Sequence, residues 1–296
     1  MANHVSQVNP KGQVMKLLKS LVFVFACLNA SVLFAQDQGD PVDQLIVKSG
    51  IKLQTEELPD VIKASIDQSL NQNQKLTAEQ RAKLKDIFIQ AFDPSAMLKS
   101  IKNYVSGRLS AQDLNTILTW LNSPLGVKIT QLEEDASTAD AFKKVREYAQ
   151  GLQANPPDPN RVALLQKLDT AAHLTDNNVK MRIDMASSMA ESMAPAIGNK
   201  DFSASAVNAQ LEENRPKIEN AARQEVIIEG LYTYQSLTDN EIQQYIDFYN
   251  SDAGMKYETV MAEGLSTSLH NVFNEAGKDL GDYLKQIAAQ VAATKT

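Results

Sequence analysis

The chain has 296 residues, of which 43% are hydrophobic and 22% charged, and its formal net charge is −7. This composition is typical of a globular protein long enough for two domains. The negative charge and the lack of a lysine or arginine cluster argue against nucleic acid or anionic membranes as partners, because both are bound through basic side chains. No stretch after the N-terminus approaches the roughly 20 apolar residues that span a bilayer, so we expect no transmembrane anchor.

The N-terminal residues have the pattern of an export signal. A basic segment from Met15 to Lys19 precedes an apolar run that ends at Ala35, directly before polar residues. This order is typical of a secretory signal peptide. We therefore predict that residues 1–35 are cleaved, with Met15 as the more natural start, and that the mature protein is periplasmic in a Gram-negative bacterium. Lipoprotein processing at Cys27 is the less favoured alternative, because the apolar run continues past that cysteine.

Helical periodicity follows a short polar linker, residues 36–41. Apolar residues recur at i, i+3, i+4 and i+7, and no stretch alternates with period two for long enough to form a strand. Three prolines between residues 155 and 159 cannot continue a helix, and they predict a stiff connector. The sequence therefore predicts an all-α fold with one helical unit at 42–154 and a second at 160–294.

Two segments of the chain resemble each other at a constant offset of 128 residues. The first motif segment, residues 109–128, reads LSAQDLNTILTWLNSPLGVK, and the second, residues 237–256, reads LTDNEIQQYIDFYNSDAGMK. Each predicts a helix, a break and a second helix. Ser110 with Asp113, and Thr238 with Glu241, occupy equivalent N-cap and N3 positions. The two units are therefore predicted to be similar multi-helix domains in a tandem repeat.

The break within each segment has a predicted physical basis. An asparagine ends the first helix in the left-handed conformation, a serine caps the next, and the following proline or aspartate suits position N1. The glycine permits a close approach of another helix, and the lysine has a structural role in preference to a functional one. This repeated helix junction comprises Asn122, Ser123, Pro124, Gly126, Lys128, Asn250, Ser251, Asp252, Gly254 and Lys256.

The order of these residues resembles an exported bacterial family called domain of unknown function 2059. The positions that carry the resemblance in and just before the first motif segment are Tyr104, Ser110, Asp113, Trp120, Asn122, Ser123, Pro124, Gly126 and Lys128. In the second they are Tyr232, Thr238, Glu241, Phe248, Tyr249, Asn250, Ser251, Gly254 and Lys256. Leu121 and Asp252 depart from the family pattern. The resemblance implies a helical periplasmic domain, here in tandem, and it implies no activity.

No catalytic, metal-binding or cofactor motif is present, so we predict no catalytic residue, no metal ligand and no cofactor. The mature chain holds two histidines, His173 and His270, and no cysteine. Runs of adjacent acids, such as 133–135 and 212–213, are interpreted as solvated helix surface. A cleft that holds a carboxyl of strongly perturbed pKa in only one of the two units would favour catalysis instead.

One unusual stripe consists of methionines spaced by four, namely Met181, Met185, Met189 and Met193. We interpret it as part of the core, an inter-helix seam or an apolar groove, because thioethers suit adaptable apolar contacts. A Cu(I) site is less favoured, since residues at i and i+4 spread along a helix instead of converging on one point.

The leading hypothesis is a non-enzymatic binding or interaction module for a protein or an apolar ligand. The first alternative is a carboxylate-dependent envelope hydrolase or lyase that uses hydroxyls of the Tyr104 and Tyr232 type. The others are a Cu(I)-handling protein that uses the methionine stripe and a purely structural envelope component.

Overall fold

The computed structural model describes residues 39–72, 77–197 and 203–293. All regular structure in these ranges is helical, so the prediction of an all-α fold is confirmed for them. The signal at residues 1–35, the alternative start Met15, Cys27 and the first half of the 36–41 linker lie outside the described residues.

Twelve helices follow one another within the described ranges. They are α1 (Pro41–Lys48), α2 (Ile51–Gln72), α3 (Ala78–Ala91), α4 (Pro94–Val105), α5 (Ala111–Leu121), α6 (Pro124–Ala136), α7 (Ala139–Gly151), α8 (Pro159–Ala171), α9 (Leu174–Ile197), α10 (Ala204–Thr233), α11 (Asp239–Tyr249) and α12 (Asp252–Ala293).

Local sequence determines where most of these helices begin. Four of them start at a proline that directly follows a capping Asp or Ser: α1, α4, α6 and α8. Proline is well placed there because its missing N–H has no partner in the first turn of a helix. Before α3, Thr77 and Gln80 form the predicted capping box, with each side chain accepting a hydrogen bond from the other residue's backbone.

The main hydrophobic core draws side chains from both sides of the Pro-rich stretch. Ile101 and Ile117 precede that stretch, Leu168 and Ile242 follow it, and each of them is almost completely buried in the same cluster. Helices of the two sequence units therefore share one core. The unit boundaries at 42–154 and 160–294 stay a prediction from the sequence.

The terminal helix α12 holds much of this arrangement together. It is 42 residues long, which corresponds to about 63 Å, and it packs against α9 as well as α3, α4 and α5. Gly277 and Gly281 lie where α12 meets α9. A Cβ atom at Gly277 would lie 2.9 Å from the carbonyl oxygen of Met189, and one at Gly281 would lie 3.3 Å from the Cα of Met193. Glycine at these positions lets the two backbones approach closely.

Candidate functional site

The two helix junctions have the same local geometry. The hydroxyl oxygen of Ser123 accepts a hydrogen bond from the backbone N–H of Gly126 at 3.0 Å, and Ser251 accepts one from Gly254 at 3.1 Å. A Cβ atom on either glycine would collide with a backbone carbonyl of the preceding helix, at Trp120 and at Phe248 respectively. Each glycine therefore lets the backbone of another helix approach closely, and that helix is the one directly before it in the chain.

The asparagines do not adopt the left-handed conformation, so that prediction is wrong. Asn122 has φ −85° and ψ −4°, and Asn250 has φ −78° and ψ −7°, both in the right-handed region. The next helix starts within two residues, and a right-handed C-cap suits this immediate restart. The side-chain amide of Asn122 also donates a hydrogen bond to the carbonyl of Leu118 at 2.8 Å.

Each junction lysine forms an ion pair with the capping acid of the other motif segment. Lys128 Nζ lies 2.7 Å from Glu241 Oε1, and Lys256 Nζ lies 2.9 Å from Asp113 Oδ1. The Lys128 ammonium and the cap of α11 lower the pKa of Glu241 to about 2. The pKa of Asp113 is likewise lowered, chiefly by Lys256. The structure thus places both repeated lysines in contacts between the two segments.

A pocket of about 510 Å³ lies among helices from both sides of the Pro-rich stretch. Its wall is mainly apolar, with contributions from α2 and α6 to α12. The polar side chains that line it are Ser49, Gln54, Glu133, Ser137, Asn178, Glu229, Thr233, Tyr234, Tyr245, Tyr249 and Tyr257. This pocket is the candidate functional site.

Glu133 of α6 is the centre of a hydrogen-bonded cluster in the pocket. Its Oε1 accepts hydrogen bonds from the hydroxyls of Tyr234 at 2.7 Å and Tyr245 at 2.9 Å. The hydroxyl of Tyr249 lies 3.0 Å from that of Tyr245. Burial raises the pKa of Glu133, and the two phenol donors partly oppose that increase. The interpretation of run 133–135 as solvated surface is therefore wrong for Glu133, because this position of α6 faces the pocket.

Glu229 of α10 is the second carboxyl of the pocket and is more open to solvent than Glu133. Desolvation raises its pKa, the neighbouring Glu225 adds to that increase, and Arg182 opposes it. Burial also raises the pKa of Tyr234 far above its ordinary value, with further contributions from Glu133 and Glu229. The phenol of Tyr234 therefore keeps its proton at physiological pH.

Arg161 of α8 fixes the backbone segment that carries Tyr234. Its guanidinium donates hydrogen bonds to the carbonyls of Tyr234 at 2.6 Å and Leu237 at 2.9 Å, and it pairs with Asp239 at 2.7 Å. Arginine suits this task because its planar fork presents several donors at fixed angles. The phenol of Tyr234 is thereby held towards Glu133.

The residues of the polar cluster have apolar counterparts at the equivalent positions of the chain. At the offset of 128 residues, the counterparts of Tyr245, Tyr249 and Tyr257 are Ile117, Leu121 and Ile129. The counterpart of Glu133 is Met261. One helix pair thus supplies hydroxyls where the other supplies aliphatic core. These differences between equivalent positions are the feature of the sequence that indicates the site. A comparison restricted to residues that the two segments share does not detect them.

The tyrosines named for the enzyme hypothesis lie elsewhere. The Tyr104 hydroxyl donates a hydrogen bond to Glu263, and the Tyr232 ring contacts Tyr148 with centroids 5.8 Å apart. Neither tyrosine lines the pocket.

The methionine stripe lies along α9. Met181, Met185 and Met189 are half-buried against a second apolar cluster that includes Phe92 and Phe273, and the backbone of Met193 faces Gly281. Met181 also lines a smaller pocket of about 440 Å³, together with His173 and Asp176. His173 Nδ1 lies 3.8 Å from Asp176 Oδ2, a pairing that the sequence analysis did not identify.

Within the described ranges, His, Cys, Asp and Glu side chains nowhere form a group of three or more that could hold a metal ion. None of the helices there combines the length and the hydropathy that crossing a bilayer requires.

Fold and site together define an all-helical protein with a carboxyl–tyrosine pocket between its helices. Residues 95–155 match the family described as an uncharacterized protein conserved in bacteria, DUF2059. The matched range contains the first motif segment and supports the resemblance for that part of the chain, whereas the second motif segment lies outside it. No curated protein and no solved structure matches the chain.

Proposed function

We propose that the protein is a non-catalytic binding module that encloses a small organic ligand in the carboxyl–tyrosine pocket. The observation that carries this proposal is the pocket itself. Its volume of about 510 Å³ lies in the range of small-molecule sites. A mainly apolar wall with convergent polar groups is also the usual character of such sites.

The proposal includes a tandem duplication as the origin of the fold. It is supported by the equal junctions and by the two reciprocal ion pairs, Lys128 with Glu241 and Lys256 with Asp113. After a duplication, one copy can keep an aliphatic core while the other acquires polar side chains. The change from Ile117 to Tyr245 at equivalent positions is of this kind.

A carboxylate-dependent hydrolase or lyase is the second candidate, and one specific observation favours it. Glu133 is a carboxyl of raised pKa, and its counterpart at the equivalent position is Met261. A general acid of this type paired with Glu229 as base would follow the usual division of roles. Binding accounts better for the geometry, because two phenols already donate to the Glu133 oxygen and hold it in place.

Native mass spectrometry of the protein purified from its own cells tests the binding proposal. Ala136 lines the pocket, so Ala136→Phe fills it. Exposed Ala163 of α8 provides the matched control, Ala163→Phe. We expect a bound small molecule on the wild type and on the control, and none on Ala136→Phe. A wild type that carries no small molecule, or an Ala136→Phe variant that carries it equally, would contradict the proposal.

The same measurement separates binding from catalysis. If the protein only binds, the Glu133→Gln variant carries the same molecule as the wild type, in smaller or equal amount. If Glu133 is a general acid, the variant accumulates an unconverted molecule of different mass. Identical masses therefore support the binding module, and a new mass supports the enzyme.

A periplasmic location of the mature protein is part of the proposal. We expect that osmotic shock releases the protein and that N-terminal sequencing finds a start near Gln36. An intact Met15 segment, or an acylated Cys27, would show that this assignment is wrong.

A further inference from the structure

The hydrogen-bonding capacity left in the pocket can be derived from the donors already in use. Tyr234 and Tyr245 each have one phenol proton, and both donate it to Oε1 of Glu133. Since the proton of Tyr245 is used there, the hydroxyl of Tyr249 donates to Tyr245. The Ser137 hydroxyl donates to the backbone carbonyl of Glu133 at 2.6 Å. These four hydroxyls therefore offer only lone pairs to a ligand.

The remaining groups of the pocket are mostly acceptors as well. Oε2 of Glu133 receives no hydrogen bond from the described residues, and Glu229 adds a second carboxyl at the side more open to solvent. The two carboxyls therefore add further acceptor oxygens to the lining.

The charges of the lining residues favour a cationic ligand. Among the described residues that line the pocket, two are carboxylic acids and none is Lys, Arg or His. Glu225 and Arg182 lie near the Glu229 side and pair with each other, so Arg182 is already engaged by another carboxylate. A buried carboxylate without a cation is unfavourable, and a cationic ligand supplies the missing partner.

The tyrosine rings provide a suitable surface for such a cation. The Tyr234 and Tyr245 rings meet edge to face, with centroids 6.3 Å apart and planes at 80°. Tyr249 is tilted by 43° against Tyr245 at 4.9 Å. Ammonium groups are attracted to the faces of aromatic rings, and more strongly so in desolvated sites. The other neutral polar groups of the lining provide donors or acceptors as required, namely Ser49, Gln54, Thr233 and Tyr257.

From these observations we infer that the pocket takes a protonated amine, an N–H-bearing ammonium group on a small apolar body. This inference rests on the proposed function, because it names the ligand class of the same pocket. The ammonium lies between Glu133 and Glu229 with the tyrosine rings beside it, and the apolar body contacts the aliphatic wall. A carboxylate or phosphate ligand is rejected, since it would face two acids with no basic partner.

A set of three probes of similar size tests the inference. They are 2-phenylethylamine, 2-phenylethanol and 3-phenylpropanoate, which are cationic, neutral and anionic at pH 7. Trp120 is the only tryptophan of the chain and stacks on Tyr245 at 6.2 Å, so its fluorescence reports on the pocket. We expect only the amine to change this fluorescence and to raise the melting temperature in a concentration-dependent manner.

Three variants assign the effect to the carboxyls. Glu133→Gln keeps the acceptor oxygen for both phenols. It should lower the affinity for the amine by about tenfold or more. Glu229→Gln should lower this affinity less, because that side chain is more open to solvent. Glu213→Gln, an exposed position of α10 outside the pocket, is the control and should leave affinity unchanged. Circular dichroism confirms that each variant is folded.

The outcomes separate this inference from the proposed function. The inference is overturned if the alcohol or the carboxylate binds as tightly as the amine. It is equally overturned if no probe binds, or if the amine binds independently of both carboxyls. In each case the mass of the molecule carried by the native protein, and its loss in Ala136→Phe, still decides the binding proposal. A carried molecule without a basic nitrogen would refute the ligand class and leave the binding pocket established.

Discussion

Trp120 lies flat on Phe248, the residue at its own position in the second motif segment. The ring centroids are 4.7 Å apart and the planes differ by 6°. Contact between equivalent residues is what a two-fold axis produces in an isologous dimer. The ion pairs Lys128–Glu241 and Lys256–Asp113 are reciprocal in the same sense. These contacts support the proposed duplication, in which two copies of one unit pack face to face within a single chain.

The Trp120–Phe248 stack predicts an energetic coupling between the two segments. In a double-mutant cycle of Trp120→Leu and Phe248→Leu, we expect a coupling energy of about 0.5–1.5 kcal/mol, the usual value for aromatic pairs. Urea unfolding followed by circular dichroism measures it. Trp120→Leu combined with Leu53→Ala, at an exposed position of α2, should be additive and serves as the control. Additivity in the first cycle would show that the stack contributes nothing specific.

The glycines of the two junctions are predicted to be irreplaceable even by alanine. An added Cβ would collide with the carbonyl of Trp120 or Phe248, which are backbone atoms that cannot rotate away. We therefore expect Gly126→Ala and Gly254→Ala each to lower the free energy of unfolding by about 1–3 kcal/mol. Gly151→Ala, at the end of α7 with open space around it, is the matched control and should be neutral or slightly stabilising. Denaturant unfolding of the three variants tests this; equal stability would contradict the steric explanation.

The pair of Lys128 with Glu241 predicts a loss of stability in acid. Because the folded-state pKa of Glu241 is lowered to about 2, its contribution is present above the unfolded value near 4.3 and is lost as the pH falls towards 2. Lys128→Met should remove most of this dependence. Lys143→Met, on the exposed face of α7, should leave it intact. Melting temperatures between pH 2 and 6 provide the measurement, and parallel curves for Lys128→Met and the wild type would refute the assignment.

Glu133 predicts a pH dependence of the opposite sign. Its folded-state pKa is raised by burial, so the native state binds more protons than the unfolded state and stability decreases as the pH rises. Glu133→Gln should remove that decrease, so the variant gains stability relative to the wild type as the pH rises above the unfolded-state value near 4.3. Glu213→Gln should follow the wild type. If Glu133→Gln loses stability relative to the wild type as the pH rises, the carboxyl is not desolvated in the ligand-free protein.

The features that the sequence predicts correctly are those that depend on neighbouring residues. The capping box of Thr77 and Gln80 and the serine cap of Ser123 involve contacts across three residues, so their patterns are visible in the chain. The conformation of Asn122 depends on how soon the next helix begins, and the general preference of asparagine for left-handed caps did not predict it.

The pocket could not be predicted in the same way, because its contacts span most of the chain. Glu133 meets Tyr234 and Tyr245 at separations of 101 and 112 residues. In the sequence, Glu133 stands beside Glu134 and Asp135 and looks like solvated surface. Only the packing of α6 against α10 and α11 turns it inward. The usable signal was the contrast between Tyr245 and Ile117 at equivalent positions.

The final prediction concerns Met181, Met185, Met189 and Met193. Residues four apart rise about 6 Å along a helix, so the first and last of these α-carbons are about 18 Å apart. A Cu(I) site needs two or three sulfurs at one point, which such a row does not provide. The structure instead places three of these side chains against an apolar cluster with Phe92 and Phe273. We therefore predict that they act as packing residues in the α9–α12 seam.

Replacement of all four methionines by leucine should keep the helical content and shift the melting temperature by only a few degrees, since Met and Leu have similar volumes. Anaerobic Cu(I) titration against a competing chelator should show no tight stoichiometric site in the wild type. Met255→Leu, at an exposed position outside the stripe, is the control for nonspecific thioether binding. Tight binding by the wild type and by Met255→Leu, abolished in the fourfold variant, would show that the stripe is a metal site and that the packing explanation is wrong.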